Sequence, residues 1–283
     1  MPAKCLICKE NNVYEVKSHL TPAAITRNTF GPRNKEEIFT IDPTKATIER
    51  YYGSEHSQQN DTEIKMQPNA RKGIFCKECE NNLAKYESAV QPRLNEIVNS
   101  LGKGIHVLKS PDWIKYVEIG IHPNLLVTYF QSIVWRQCLE QTLDHMDNPL
   151  PENEFESLRV TLLENIRTPL NEMQGKNLTK HRDMSAISTY DTDLKSTPSY
   201  SNPHTANTNP RIFFIGPIAL LYWLVGNTTQ NFSEITDVDS DILKNDYRLH
   251  TARLVVINNR PWTKIHFNLA STVAKQYNRT RNH

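Results

Sequence analysis

The 283-residue chain reads as an α+β protein, with an N-terminal module over residues 1–100 stapled by four cysteines and an α+β C-terminal region over residues 101–283. Three observations predict this. Two Cys-x-x-Cys pairs, Cys5/Cys8 and Cys76/Cys79, bracket most of the first part. Beyond Ser100, two segments repeat apolar residues at the helical period, and the chain then turns to short aliphatic and aromatic runs. The length suits one large domain or two small ones.

Hydrophobic residues make up 38% of the chain and charged residues 23%, a polar balance that predicts long solvated loops. Lys+Arg 33 against Asp+Glu 31 leaves a net charge of +2, evenly divided on either side of Ser100. Tight non-specific binding to nucleic acid rests on phosphate neutralisation, so any such binding here needs a local patch or a partner. The longest apolar run, Ile212 to Val225, is interrupted by Gly216 and Pro217 and is shorter than the roughly 17–25 residues of a membrane span. The opening MPAKCLICKE has no apolar core of the signal-peptide kind. The expectation is a cytoplasmic protein with no membrane partner.

In a reducing compartment, two Cys-x-x-Cys pairs favour a metal site over disulfides. Two residues between thiolates let both sulfurs of a turn face one ion, and two such turns complete a tetrahedral zinc shell with bonds of about 2.3 Å. A redox role for one pair would need a thioredoxin-like setting around it. The pairs are separated by 67 residues, so a shared ion would join the N-terminus to a distant turn. A closed four-sulfur shell offers substrate no open position, so Zn²⁺ held by Cys5, Cys8, Cys76 and Cys79 is expected to be structural. Cys138 stands alone on an apolar helical face and is expected to be a buried free thiol.

Between the pairs, Asp42-Pro43 ahead of residues 44–52 and Gly53 gives cap, first-turn Pro and Gly stop, which predicts a short helix. Arg27, Arg33, Lys35, Lys45, Arg50, Lys65, Arg71 and Lys72, interleaved with Phe30, Tyr51 and Tyr52, form a candidate grip for a phosphate backbone, diluted by six acidic neighbours. The second pair opens a helix on which Glu87, two turns beyond Glu80, is expected to be solvated. Helices are predicted around 124–145 and 153–167, joined by the loop 147–151. Residues 171–210, dense in Asn, Ser, Thr and Pro, predict a long loop. Runs at 212–215, 219–225, 254–257 and 264–269 predict a small sheet. Asp237, Asp239 and Asp241 alternate as in a calcium loop, but Ile242 and Arg248 occupy the positions that need Gly and Glu, so a solvated acidic turn is expected. No Gly-rich phosphate loop and no Gly-x-Ser-x-Gly elbow is present, and neither ATP-dependent nor acyl-transfer chemistry is expected.

The order Cys5-x-x-Cys8, then Ser18-His19-Leu20-Thr21-Pro22, then Cys76-Lys77-Glu78-Cys79-Glu80 resembles the zinc-stapled branch of the HNH endonucleases, whose module is a ββα-metal fold. The match covers about the first 90 residues. Within that branch, Ser-His-x-x-Pro with Cys-x-x-Cys-Glu is similar to a set of bacterial HNH-like proteins, some associated with defence against phage.

The resemblance implies a role for each matched residue. His19, at a strand end, would take a proton from the attacking water. A hard ion such as Mg²⁺ or Mn²⁺ would sit beside the scissile phosphate of DNA. Glu80, directly after the last cysteine, occupies the place of a family ligand; Asn69 is a candidate for the middle Asn, and Asn82 for a contact at the ion or phosphate. Two departures stand out: Ser18 replaces an acidic or His ligand of many relatives, and an insertion over about 27–67 lengthens the path from His19 to Cys76. The expected function is a metal-dependent endonuclease, with residues 101–283 recognising substrate or a protein partner. The alternative is a catalytically inactive zinc module that serves recognition or assembly in a defence or toxin complex.

Overall fold

A computed structural model describes residues 3–13, 17–20, 37–42, 47–52, 70–100, 114–143, 147–189, 210–215, 218–224 and 253–257. They form an α+β fold in which a cysteine-bearing turn and a short hairpin lead into three packed helices and a five-stranded sheet.

The chain opens with a tight turn. Lys4 bridges Asn12, the Cys5 amide donates to Asn11 O at 2.9 Å, and the Lys9 amide donates to Cys5 O at 2.8 Å. Strand β1 (Lys17–His19) pairs antiparallel with β4 (Ala70–Lys72), with Ser18 opposite Arg71 and His19 opposite Ala70. Gly73, at φ 69°, turns the chain out of β4 in a conformation that glycine adopts without a Cβ penalty. The next residue, Ile74, accepts the Leu6 amide at 3.0 Å, which sets the two cysteine turns side by side. Helix α1 (Lys77–Ser100) starts there, with Glu78 and Glu80 in its first turn, where the helix dipole favours negative charge.

The short helix expected over residues 44–52 is not formed at the described residues 47–52. Strands β2 (Glu37–Asp42) and β3 (Thr47–Tyr52) pair antiparallel instead, with Asp42 opposite Thr47 and Glu37 opposite Tyr52. Thr47, Ile48, Tyr51 and Tyr52 are β-branched or aromatic, types that favour a pleated surface, and a partner strand of Ile, Phe and Thr is adjacent in sequence. The Asp-Pro cap signal is local and is outweighed by that pairing.

After β5 (Ile114–Glu118), the helices α2 (Pro123–Leu143) and α3 (Glu152–Arg167) match the predicted segments, with Pro123 at the first helical position. Every residue of α2 from Leu126 to Leu139 is buried. Cys138 is among them, as a free thiol that burial pushes well above its ordinary pKa. Trp135 of α2 stacks on Phe155 of α3, with ring centroids 5.7 Å apart, and contacts Phe75 beside the second cysteine turn. Tyr86 of α1 donates to Asn165 O of α3 at 2.9 Å. The buried cluster runs without a break from Cys5 to Leu254.

Residues 171–210 do not form one long loop. One helical turn, α4 (Leu170–Met173), and strand β6 (Met184–Thr189) fall at or inside that range. Strand β6 holds the centre of a sheet ordered β5-β9-β6-β8-β7, with β7 (Arg211–Ile215), β8 (Ile218–Tyr222) and β9 (Arg253–Ile257). Its only parallel pairing among the described strands is β6 with β9. Ser185 and Ser188 are buried in β6, so the strand lacks the apolar signature that would mark it in sequence. The predicted run 264–269 and the acidic turn at Asp237 lie outside the described residues. Among the described residues, no helix is long and apolar enough to cross a membrane.

Candidate functional site

Cys5, Cys8, Cys76 and Cys79 are all buried, and their sulfurs lie within 4.8 Å of one another. Cys8 Sγ and Cys76 Sγ are 3.9 Å apart. A tetrahedral ion with bonds of about 2.3 Å needs sulfurs about 3.8 Å apart, so the cluster can hold a metal ion such as zinc. One pair comes from the N-terminal turn. The other straddles the start of α1, where the Cys79 amide donates to Cys76 Sγ at 3.5 Å and the helix terminus favours thiolate. Asn11 adds an outer contact, with Nδ2 3.9 Å from Cys76 Sγ and 3.2 Å from Glu78 Oε2.

The thiols oppose one another. Cys5 is held well below the usual thiol range, chiefly because the Cys79 thiol donates to it. Cys79 is pushed up, first by that same donation and then by burial, and Cys76 is pushed up by burial. Four thiolates at this spacing therefore require a cation, and metal binding here releases protons.

The cysteine turn is clamped onto α3. Arg159 donates to Ile7 O and pairs with Glu156 at 2.7 Å, and Lys9 pairs with Glu156 at 3.0 Å. Arg159 first and Lys9 next hold the Glu156 carboxyl down at about 2. Arg167 pairs with Glu10 at 2.7 Å.

Next to the cluster lies Glu80. Its Oε2 is buried and has no hydrogen-bond partner among the described residues. Burial pushes its carboxyl above the usual range, against the opposing effects of a hydrogen bond from Ser18 and the positive charge of Arg136. The Ser18 hydroxyl can only reach Glu80 because β1 runs beside the first turn of α1. Glu87 is not simply solvated as expected. It pairs at 2.6 Å with Arg136 of α2, a guanidinium only 2% exposed, because a buried Arg in an apolar helix needs a carboxylate partner.

The structure thus brings the four cysteines together and sets Glu80 beside them. The backbone of His19 ends β1, directly after Ser18, while its side chain and all of Asn69 lie outside the described part of the chain. Asn82 is not brought to Glu80, because residues two apart on a helix face different ways, and it accepts from Lys85 at 3.1 Å. Sequence reading missed Arg136. A charged residue inside an otherwise apolar helical run was the signal available.

No family model matches the chain, and no curated protein or solved structure matches it either.

Proposed function

We propose that the protein is a metal-dependent phosphodiester hydrolase of the HNH type acting on DNA, with structural zinc on Cys5, Cys8, Cys76 and Cys79. One observation carries this reading. An antiparallel β1–β4 pair leads through the second cysteine turn into α1, whose first turn presents an orphaned, buried carboxylate oxygen of Glu80 beside the strand that ends in His19.

In this reading Glu80 holds a divalent ion such as Mg²⁺ or Mn²⁺, with Asn69 the further candidate for a polar contact there. When bound, that ion supplies positive charge for the phosphorane and the leaving oxygen. A ring nitrogen of His19 takes the proton of the attacking water as its oxygen bonds to phosphorus, and the P–O bond to the leaving sugar breaks. Ser18 and Arg136 orient and counterbalance Glu80. The four-sulfur cluster keeps the strand end and the helix start in register.

The test is cleavage of plasmid DNA by purified protein with Mg²⁺ or Mn²⁺. His19→Ala is expected to lower the rate by about 10²–10⁴-fold. Cleavage that survives this substitution unchanged overturns the mechanism. Ser18, which stands where many relatives carry a ligand, favours a second reading as an inactive recognition or assembly module, and absence of cleavage with every metal would select it.

A further inference from the structure

Away from the cysteines, α3, the segment before β6 and strand β8 assemble a chain of four polar side chains. Ser157 Oγ lies 2.8 Å from His181 Nε2. On the other side of the ring, Nδ1 lies 2.7 Å from Tyr222 Oη and 3.3 Å from Glu154 Oε1. Tyr222 donates to Glu154 Oε1 at 2.8 Å. His181 and Tyr222 are buried, whereas Ser157 is only half-buried.

Proton accounting relates the directions of these bonds to one another. An ionised carboxylate only accepts, so the single Tyr222 proton goes to Glu154. Burial and the Glu154 charge both keep that phenol protonated. In the tautomer that carries its proton on Nδ1, that proton goes to the Tyr222 oxygen, with Glu154 Oε1 3.3 Å away, and Nε2 is bare. In that tautomer Ser157 donates its hydroxyl proton to Nε2. The order is hydroxyl, imidazole, then a phenol held by a carboxylate, and it sets a serine against a base as nucleophile activation requires.

The backbone supports the same conclusion. His181 sits at φ 51°, a left-handed conformation that costs a residue with a Cβ about 1–2 kcal/mol. It is held there by Gln131, fully buried, which donates to His181 O at 3.1 Å and accepts from Asn165 at 2.9 Å. Strain held in place by a buried network marks functional positions.

We propose that Ser157 is an activated nucleophile with His181 as its general base, oriented by Glu154 and Tyr222, and that this centre hydrolyses carboxylic esters. The Ser157 oxygen bonds to the acyl carbon as its proton passes to Nε2. The ester C–O bond breaks and the alcohol leaves with that proton. Water then attacks the acyl carbon, gives one proton to Nε2 and releases the acid, and Ser157 recovers its proton from the ring. This acyl-transfer chemistry, which the lack of a Gly-x-Ser-x-Gly elbow gave no reason to expect, is independent of the phosphodiester reading and uses no added divalent ion.

The experiment is incubation of the full-length chain with a fluorophosphonate probe, with the modified residue mapped by mass spectrometry and p-nitrophenyl acetate hydrolysis followed in parallel. Ser157 is expected to displace fluoride and carry the phosphonyl group. His181→Asn, a residue that tolerates the left-handed backbone, is expected to slow labelling by about 100-fold or more. Glu154→Gln, a positioning change, is expected to slow labelling while the melting temperature stays at that of the parent, a split that a purely structural role would not produce. Two results overturn the proposal: Ser157 left unmodified in the folded wild-type protein, or labelling of His181→Asn at the wild-type rate. Site mapping on the wild type decides even if the variants do not fold.

Discussion

Glu80 shows how a single buried residue can weaken the fold. Its carboxyl is held above the ordinary range by burial, so the folded chain binds that proton more tightly than the unfolded chain does. By linkage, its favourable contribution is present in acid and is lost as pH rises through the raised folded value. Near neutral pH the buried charge is then a cost, offset in part by Ser18 and Arg136. Glu80→Gln is accordingly expected to melt at the same temperature as the parent or higher near neutral pH, with the difference vanishing in acid, while metal-dependent cleavage is lost. Thermal unfolding across pH, run beside the plasmid assay, checks both halves. A lower melting temperature near neutral pH would mean that the carboxylate is structural.

At the scale of the element, the decisive junction is the turn between β4 and α1. Gly73 adopts φ 69°, and the nearest atom to an added Cβ would be Val13 Cγ2 at 3.8 Å, an ordinary contact. The cost of Gly73→Ala therefore lies in the backbone and is about 1–2 kcal/mol. Because the turn aims Cys76 and Cys79 at Cys5 and Cys8, the same change is expected to weaken metal binding. Urea unfolding and competition with a chromophoric chelator measure the two effects separately. Elements also differ in how far they could be read from sequence. Helices α2 and α3 repeat apolar residues over four or more turns, and their apolar faces announce them. Strands β5 and β6 are short, and β6 carries Ser185 and Ser188 in a buried position, so nothing local marks them. Residues 44–52 gave a false helix signal because capping is a local preference of about 1 kcal/mol, which strand pairing readily exceeds.

For the whole molecule, the continuous core joins the cysteine cluster to the helices and the sheet. Phe75 and Trp135 link the second cysteine turn to α2 and α3, and Arg159, Lys9 and Arg167 fasten the first turn to α3. Loss of the metal should therefore be felt well beyond the N-terminal turn. About one zinc ion per chain is expected by elemental analysis, and stripping it with a strong chelator is expected to lower the melting temperature of the whole protein in a single transition. Cys76→Ser is expected to lose the ion. A chain that melts unchanged after chelation would show that the sulfurs pack as ordinary core thiols.

The sequence by itself determined the four cysteines that could hold a metal ion, the helix that the second pair opens, the two long core helices and strands β7, β8 and β9. Each rests on spacing within a short stretch, which is where residue chemistry acts directly. Only the tertiary structure decided that residues 47–52 pair as a strand, that β6 centres the sheet, that Arg136 faces Glu87, and that Ser157, His181, Tyr222 and Glu154 meet. Those four come from three separate segments with no common motif. Their contact arises from packing α3 against β8 and the segment before β6, and packing is a property of the whole chain that no local pattern encodes.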